Sequence, residues 1–399
     1  MSREQLDAEI KRVTPIDLLQ SLVRIPSHRD LPQQETAVAR ELAGYLESYG
    51  LEPRLEEVVD GRLNLLCTVQ ANLEGPHLLL CGHTDTVPLN KDDAGVGFSG
   101  ETEGGLVHGR GAVDMKGALA AMAAALVAVF KTNLLERGSV TLAAVIDEEM
   151  ESLGAEYLVQ SGFQANGAIV GEPTLNRICL GHKGLEWLEF EFRGQAAHGG
   201  TPQAGVNAIE GASRFVELAR CELIPRFEER SDPLIGPPTL NFGTIQGGDQ
   251  PSTVAARCVL TADRRSVPGE TFESICGELK DLLTQVESEM PGLTTVIRRV
   301  PGGMATMEHV ALETAEEDPV IEAASEARRQ VCGAVGELGA FPAWTDGALL
   351  ARFGGIPTIV MGPGDLAVAH SPRESVAVDQ VLEAARLYAV TALEFCGHR

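Results

Sequence analysis

Short apolar runs that end in histidine or acid, spaced by helix-length segments, constrain this chain more than any other feature. The run His77 to Cys81 closes on Gly82 and leads into His83-Thr84-Asp85. Val140 to Ile146 leads into Asp147-Glu148-Glu149, and Ala168 to Val170 into Gly171-Glu172-Pro173. Ile356 to Met361 passes through a Gly-Pro-Gly loop to His370. With a strand candidate at Asn64 to Val69 and helical spacing over Glu35 to Tyr49, Asp114 to Phe130 and Glu151 to Gln160, the pattern predicts an α/β domain. Its sheet is mixed and largely parallel, with helices on its flanks. In such sheets, ligands collect at the carboxyl ends of the strands. Any one of these endings is an ordinary polar loop or helix cap; four together are not.

The alternation breaks near Gly184. Leu185 to Phe192 alternates as a half-buried strand, followed by a helix at Asn207 to Leu223 and strands at Thr239 to Ile245 and Val254 to Ala262. A helix at Thr271 to Glu289 and a strand at Thr294 to Val300 complete a β-α-β-β-α-β unit. Helices at Pro319 to Cys332, Gly347 to Phe353 and Asp379 to Phe395 then restore the first pattern. The 399 residues are therefore expected to form one domain inserted in another: 1–183 and 301–399 as the host, 184–300 as the insert.

A net charge of −25 repels phosphate backbones and argues against nucleic acid as a partner. The 8 cysteines show no CxxC pair and several lie in apolar stretches, as expected of reduced core thiols in a cytoplasmic protein. The charged opening MSREQLDAEIKRV lacks the apolar core of a signal peptide. The Ala-rich stretch Ala118 to Phe130 is expected to be too short to span a bilayer, so no membrane association is predicted.

The candidate chemistry is metal binding by nitrogen and oxygen. His83 and Asp85, two apart in an extended chain, share a face: His83 reads as a ligand and Asp85 as the carboxylate that orients it, although Asp85 could itself ligate. Asp114, in GRGAVDMKG, is either a helix cap or a carboxylate shared by two metals. Glu148 and Glu149 point apart, so one can bind metal while the other serves as general base.

The segments GHTDTVP, GRGAVDMKG, IDEEMESLGA, GEPT, GHKG and AHGGTPQAGVNAI occur in that order and resemble the peptidase M20 family, whose members include deacylases of amino acids, carboxypeptidases and dipeptidases. The resemblance implies a catalytic domain with an inserted lid and dimerisation domain, and two divalent ions, zinc with cobalt or manganese as alternatives. It implies that His83, Asp114 and Glu172 hold one ion and that Asp114, Glu149 and His370 hold the other. Asp85 would support His83, Glu148 would be the base, and the Asp114–Met115 peptide would be cis. His198 would stabilise the oxyanion, often across a homodimer, while Asn241 and Arg265 would hold a substrate carboxylate. Arg264 and Arg265 read otherwise as a solvated pair, and Thr345-Asp346-Gly347 as a segment near the site or a helix cap. Where many members carry Asn-x-Ile-Pro, this chain has Ser252-Thr253-Val254-Ala255. The implied activity is hydrolysis of a small N-acyl amino acid, with a short peptide as the alternative substrate. A non-catalytic binding protein on the same fold is a third reading, disfavoured by the complete set of ligands.

Overall fold

The computed structural model describes residues 3–90, 97–301 and 307–397. The chain divides into two compact units. The first comprises Met1–Gly181, Leu312–Phe341 and Thr345–Arg399; the second comprises His182–Ala311 and Pro342–Trp344.

In the first unit, a sheet runs in the order Arg54–Val59, Arg62–Gln70, Arg137–Val145, Leu73–His83, Gly167–Val170, Thr358–Val360, Cys179–His182, Leu312–Glu313, with Gly339–Ala340 pairing beside Cys179–His182. Leu73–His83 lies parallel to both Arg137–Val145 and Gly167–Val170, and Thr358–Val360 lies parallel to Gly167–Val170. These four neighbours form the parallel centre of a mixed sheet, as the apolar runs predict; the Arg54–Val59 and Arg62–Gln70 edge is antiparallel. The central strands are buried on both faces, so they read as continuous hydrophobic runs.

The helix Gly117–Thr132 is buried at nearly every position and packs against the closing helix Val378–Cys396. Counted from Ala112, this segment is 21 residues with a mean hydropathy of 1.8, so length and composition alone would let it cross a membrane, contrary to the expectation that it is too short. Its most apolar window is 94% buried within the protein, which accounts for the hydropathy as that of a core helix. The eight cysteines are free, and six of them are buried.

Three features escape the sequence pattern. An N-terminal helix, Arg3–Arg12, buries Leu6 and Ile10 beneath an otherwise charged surface. A small sheet joins Glu101–Glu103, Leu106–His108 and Ser375–Ala377. The chain at Asp114 is not yet helical: Asp114 (φ −128°, ψ 95°) and Met115 (φ −129°, ψ 36°) form an irregular turn and the helix begins at Gly117, while the bond between them is cis as the resemblance implies.

The second unit is a four-stranded antiparallel sheet in the order Thr239–Gly247, Arg257–Arg265, Glu186–Arg193, Thr294–Arg299, with helices Ala208–Leu218 and Phe272–Glu289 packed on it. This is the predicted β-α-β-β-α-β order, although the third strand begins at Arg257, three residues later than Val254. Leu188, Phe190 and Phe192 face inward on alternate positions and meet Phe215, Leu279 and Val286. Phe190 and Phe215 meet at a tilt, 4.7 Å between ring centres and 42° between planes. Arg264 is not solvated but fully buried: it pairs with Glu270 (2.7 Å) and Glu278 (3.1 Å) and lies over the Phe227 ring.

Candidate metal centre

The four parallel strands at the centre of the first unit present their carboxyl ends side by side. His83 is the last residue of Leu73–His83; Glu148 and Glu149 follow Arg137–Val145; Glu172 follows Gly167–Val170; His370 follows Thr358–Val360. Asp114 enters from the irregular turn before the Gly117–Thr132 helix. Two glycines allow that turn to come close. A Cβ at Gly82 would lie 2.6 Å from Met115 Cε, and one at Gly171 would lie 2.7 Å from Met122 Cε and 2.8 Å from Ala118 Cβ. Met115 in turn accepts the His83 backbone N–H on its sulfur at 3.3 Å.

The polar atoms converge. His83 Nε2 lies 3.0 Å from Asp114 Oδ1 and 3.7 Å from Glu172 Oε1. His370 Nε2 lies 3.0 Å from Asp114 Oδ2 and 3.1 Å from Glu149 Oε1. Asp114 thus offers one oxygen to each histidine. Donor atoms of His83, Asp114 and Glu149, and separately of His83, Glu148 and Glu172, lie within 4.8 Å of one another. By geometry alone Glu148 therefore sits among the potential ligands as well as beside them.

Electrostatics tests whether metal ions fit. Burial pushes the Glu148 and Glu172 carboxyls well above their ordinary range, and burial with Asp114 nearby raises Glu149. Asp114 is held below its usual range: burial opposes this, but hydrogen bonds from His370 and His83 outweigh it. Asp114 and Glu149 push the His370 imidazole up to about 10. Four buried or half-buried carboxylates facing two imidazoles are an excess of negative charge that two divalent cations would neutralise. The donor separations of 3.0 to 3.7 Å bracket the roughly 3.4 Å expected between tetrahedral ligands on bonds of about 2.1 Å. The residues present fit two N/O-ligated divalent ions.

Asp85 is buried, and its main contacts are with the glutamate loop: Oδ1 accepts the Glu148 N–H and Oδ2 the Glu149 N–H, each at 3.1 Å. His83 Nδ1 lies 3.0 Å from the Asp85 backbone carbonyl and 3.5 Å from its carboxylate. A further carboxylate, Asp346, is 2% exposed and makes no side-chain cap for the Gly347–Arg352 helix; Thr345 Oγ1 accepts the Gly347 N–H instead. Burial pushes Asp346 up to about 7, and its charge acts on Glu148 and Glu172. Sequence spacing missed two further buried supports. Arg62 spans Glu35 (2.9 Å) and Asp147 (2.6 Å), and Lys116 donates to the Ile25 carbonyl at 2.7 Å. The GRGAVDMKG motif itself contains Lys116, but no pattern marks a lysine as buried.

The other three predicted residues belong to the second unit. His198 is exposed, in a bridge with Thr253, and its Nδ1 accepts the Gly200 N–H at 3.0 Å. Asn241 stands opposite Asp263, which stands opposite Trp187, so the three share a sheet face. Arg265, two residues on, joins that face and is gripped by Asp263 at 2.8 and 3.1 Å.

Residues 79–394 match Peptidase family M20/M25/M40. The chain belongs to this family. Among its curated relatives, acetylornithine deacetylase of Aliivibrio fischeri is 31% identical over 348 residues, covering 85% of this chain and 86% of the relative. Among solved structures, aminopeptidase PepT from Bacillus cereus superposes with a TM-score of 0.78 at 21% identity, covering 96% of this chain and 98% of the other. A dinuclear metal-binding peptidase of family M20 from Bacillus subtilis gives 0.71 at 14% identity, with 97% and 98% covered. The M20 chain described here is a metallohydrolase with the α/β fold and inserted antiparallel domain of those structures.

Proposed function

We propose that this M20 metallohydrolase cleaves the amide bond of a small N-acyl amino acid. One observation carries the reading: Glu148 stands with His83, Glu149, Glu172 and His370 after four adjacent strands, where Asp114 enters from the turn before the Gly117–Thr132 helix. The name of the curated relatives, acetylornithine deacetylase, supports an acyl amino acid over a longer peptide.

His83, Asp114 and Glu172 would hold one divalent ion, and Asp114, Glu149 and His370 the other. When bound, two such ions supply Lewis-acid polarisation and a more acidic water. Zinc suits the donor set, as do cobalt and manganese. Glu148 takes the proton from the attacking water and returns it to the leaving amine. Asp85 keeps Glu148 and Glu149 pointing apart by fixing their backbone N–H groups. Asn241 and Arg265 form the carboxylate-binding face, with Asp263, opposite Asn241, gripping the guanidinium through Nε and Nη2. His198, from an exposed loop, donates to the oxyanion in a homodimer built through the inserted domain. Buried free thiols support a reducing, cytoplasmic setting.

The test is hydrolysis of N-acetyl-ornithine, N-succinyl-diaminopimelate, other N-acyl amino acids and simple dipeptides. Metal-stripped protein receives Zn, Co or Mn, with Glu148→Ala alongside. Metal-dependent deacylation abolished in the variant is the expected result. Cleavage of dipeptides alone would move the assignment to a peptidase, and silence with two metals bound would favour a binding protein.

A further inference from the structure

The donors of the His370-side site come from chain segments far apart: Glu149 and His370 are separated by 221 residues. Something must hold the Asp114 and His370 segments in register. The structure shows a buried device that does so. Glu374, four residues after His370 and 1% exposed, reaches the loop before Asp114. Its Oε1 accepts the Gly111 N–H at 2.7 Å, and its Oε2 pairs with Arg110 Nη1, itself 2% exposed. The Glu374 backbone carbonyl accepts the Gly109 N–H at 3.1 Å. The next residues continue as a ladder, Ser375 opposite His108 and Val376 opposite Val107.

The two segments do not depend on this device equally. Asp114 has other anchors: the Lys116 N–H bonds to the Gly111 carbonyl at 2.8 Å, Lys116 Nζ reaches Ile25, and Met115 touches His83. His370 is 46% exposed at its side chain and has φ 57° in the left-handed region; Asn90 Nδ2 donates to its carbonyl at 3.1 Å, an exposed contact, while the short-range bonds of its neighbours, Ala369 N–H to the Leu366 carbonyl at 3.0 Å and Ser371 Oγ to the Val368 carbonyl at 2.7 Å, tie the segment to itself and not to the Asp114 side. An exposed hydrogen bond in competition with water is a weak restraint, while a buried charge-assisted pair is a stiff one.

We infer that Glu374, locked by Arg110, is a positioning residue for the His370-side metal, and that its loss weakens the second bound ion and not the first. The inference rests on the two-metal reading above. It is tested on the full-length protein, stripped of metal and titrated with Co(II) by calorimetry and visible absorption, with bound zinc counted after reloading. The parent takes up two equivalents. Glu374→Gln keeps the shape and loses the charge pair; its first equivalent binds as in the parent and its second about 10–100-fold more weakly. Arg110→Lys, which keeps the charge and loses the guanidinium fork, shows the same split and carries the test if Glu374→Gln does not fold. A purely structural role would lower the melting temperature with both affinities unchanged, and that result overturns the inference. So does equal loss of both equivalents. A parent that binds fewer than two ions overturns the two-metal reading and this inference with it.

Discussion

The carboxylate of Asp85 holds the backbone at Glu148, its two oxygens accepting the N–H groups of Glu148 and Glu149 at 3.1 Å each. It lies farther, at 3.5 Å, from the His83 ring it was expected to orient, and the Asp85 main-chain carbonyl meets that ring at 3.0 Å. One side chain therefore holds the backbone of both glutamates, the proposed base Glu148 and the proposed ligand Glu149.

Replacing Asp85 with Asn removes one of those two acceptors and sets an amide N–H against a backbone N–H. The expected outcome is a fall in turnover of about 10–100-fold with two metals still bound. Turnover measured beside metal content separates this from loss of a ligand; an Asn variant as fast as the parent would show that the loop needs no such support.

Stripping metal leaves several buried carboxylates facing one another. The metal-free protein should unfold more easily in urea, and metal at 100 times its dissociation constant should restore about 2.7 kcal/mol. An unfolding midpoint that does not respond to added zinc would contradict the placement of Asp114, Glu149 and His370 around an ion.

Gly171 lies against the helix that follows Asp114. Gly171→Ala puts a methyl carbon within 3 Å of Met122, Ala118 and Met115. The expected cost is about 1–3 kcal/mol, read by urea unfolding. Because Glu172 is the next residue, zinc affinity should fall too, whereas Gly44→Ala, in the helix Thr36–Ser48 with open space around its site, should leave zinc affinity unchanged.

In the second unit, His309 stacks flat on Trp344 at 3.9 Å and neither ring nitrogen has a hydrogen-bond partner among the described residues. Burial lowers it from 6.5 to about 3, with Arg299 and His182 adding to the effect. Between those pH values the unfolded chain binds a proton that the folded chain refuses, so stability falls as pH drops from about 6.5 toward about 3. His309→Phe, which keeps the stack and cannot take up a proton, should flatten that part of the stability–pH curve. A histidine NMR titration placing His309 near 6.5 in the folded protein would refute the argument.

Much of the architecture is legible because the central strands are buried on both faces and leave uninterrupted apolar runs, each ending in a candidate ligand. What hides does so for physical reasons. Arg3–Arg12 commits only Leu6 and Ile10 to the core, so its charged face dominates the sequence. Arg54–Val59 is a half-exposed edge with no apolar run. Asp114 reads as a helix start because its neighbours suit a helix, while its own backbone turns away from one. Arg264 reads as a solvated charge because its partners, Glu270 and Glu278, lie beyond a turn, and nothing in the sequence marks Arg62 or Glu374 as buried because their partners come from distant segments. No local pattern announces a long-range ion pair.

The insertion of residues 182–311 into the host unit also sets an order of events during synthesis. His83, Asp114, Glu149 and Glu172 leave the ribosome long before His370. If the proposed ligand sets hold, a nascent chain has, for the whole time the insert is being made, donors for one ion and an incomplete set for the second. Parallel neighbours such as Gly167–Val170 and Thr358–Val360 must wait equally long to pair. On the proposed ligand sets, capture of the second ion would be a late checkpoint, available only to a chain that has been translated past His370 and has closed its sheet.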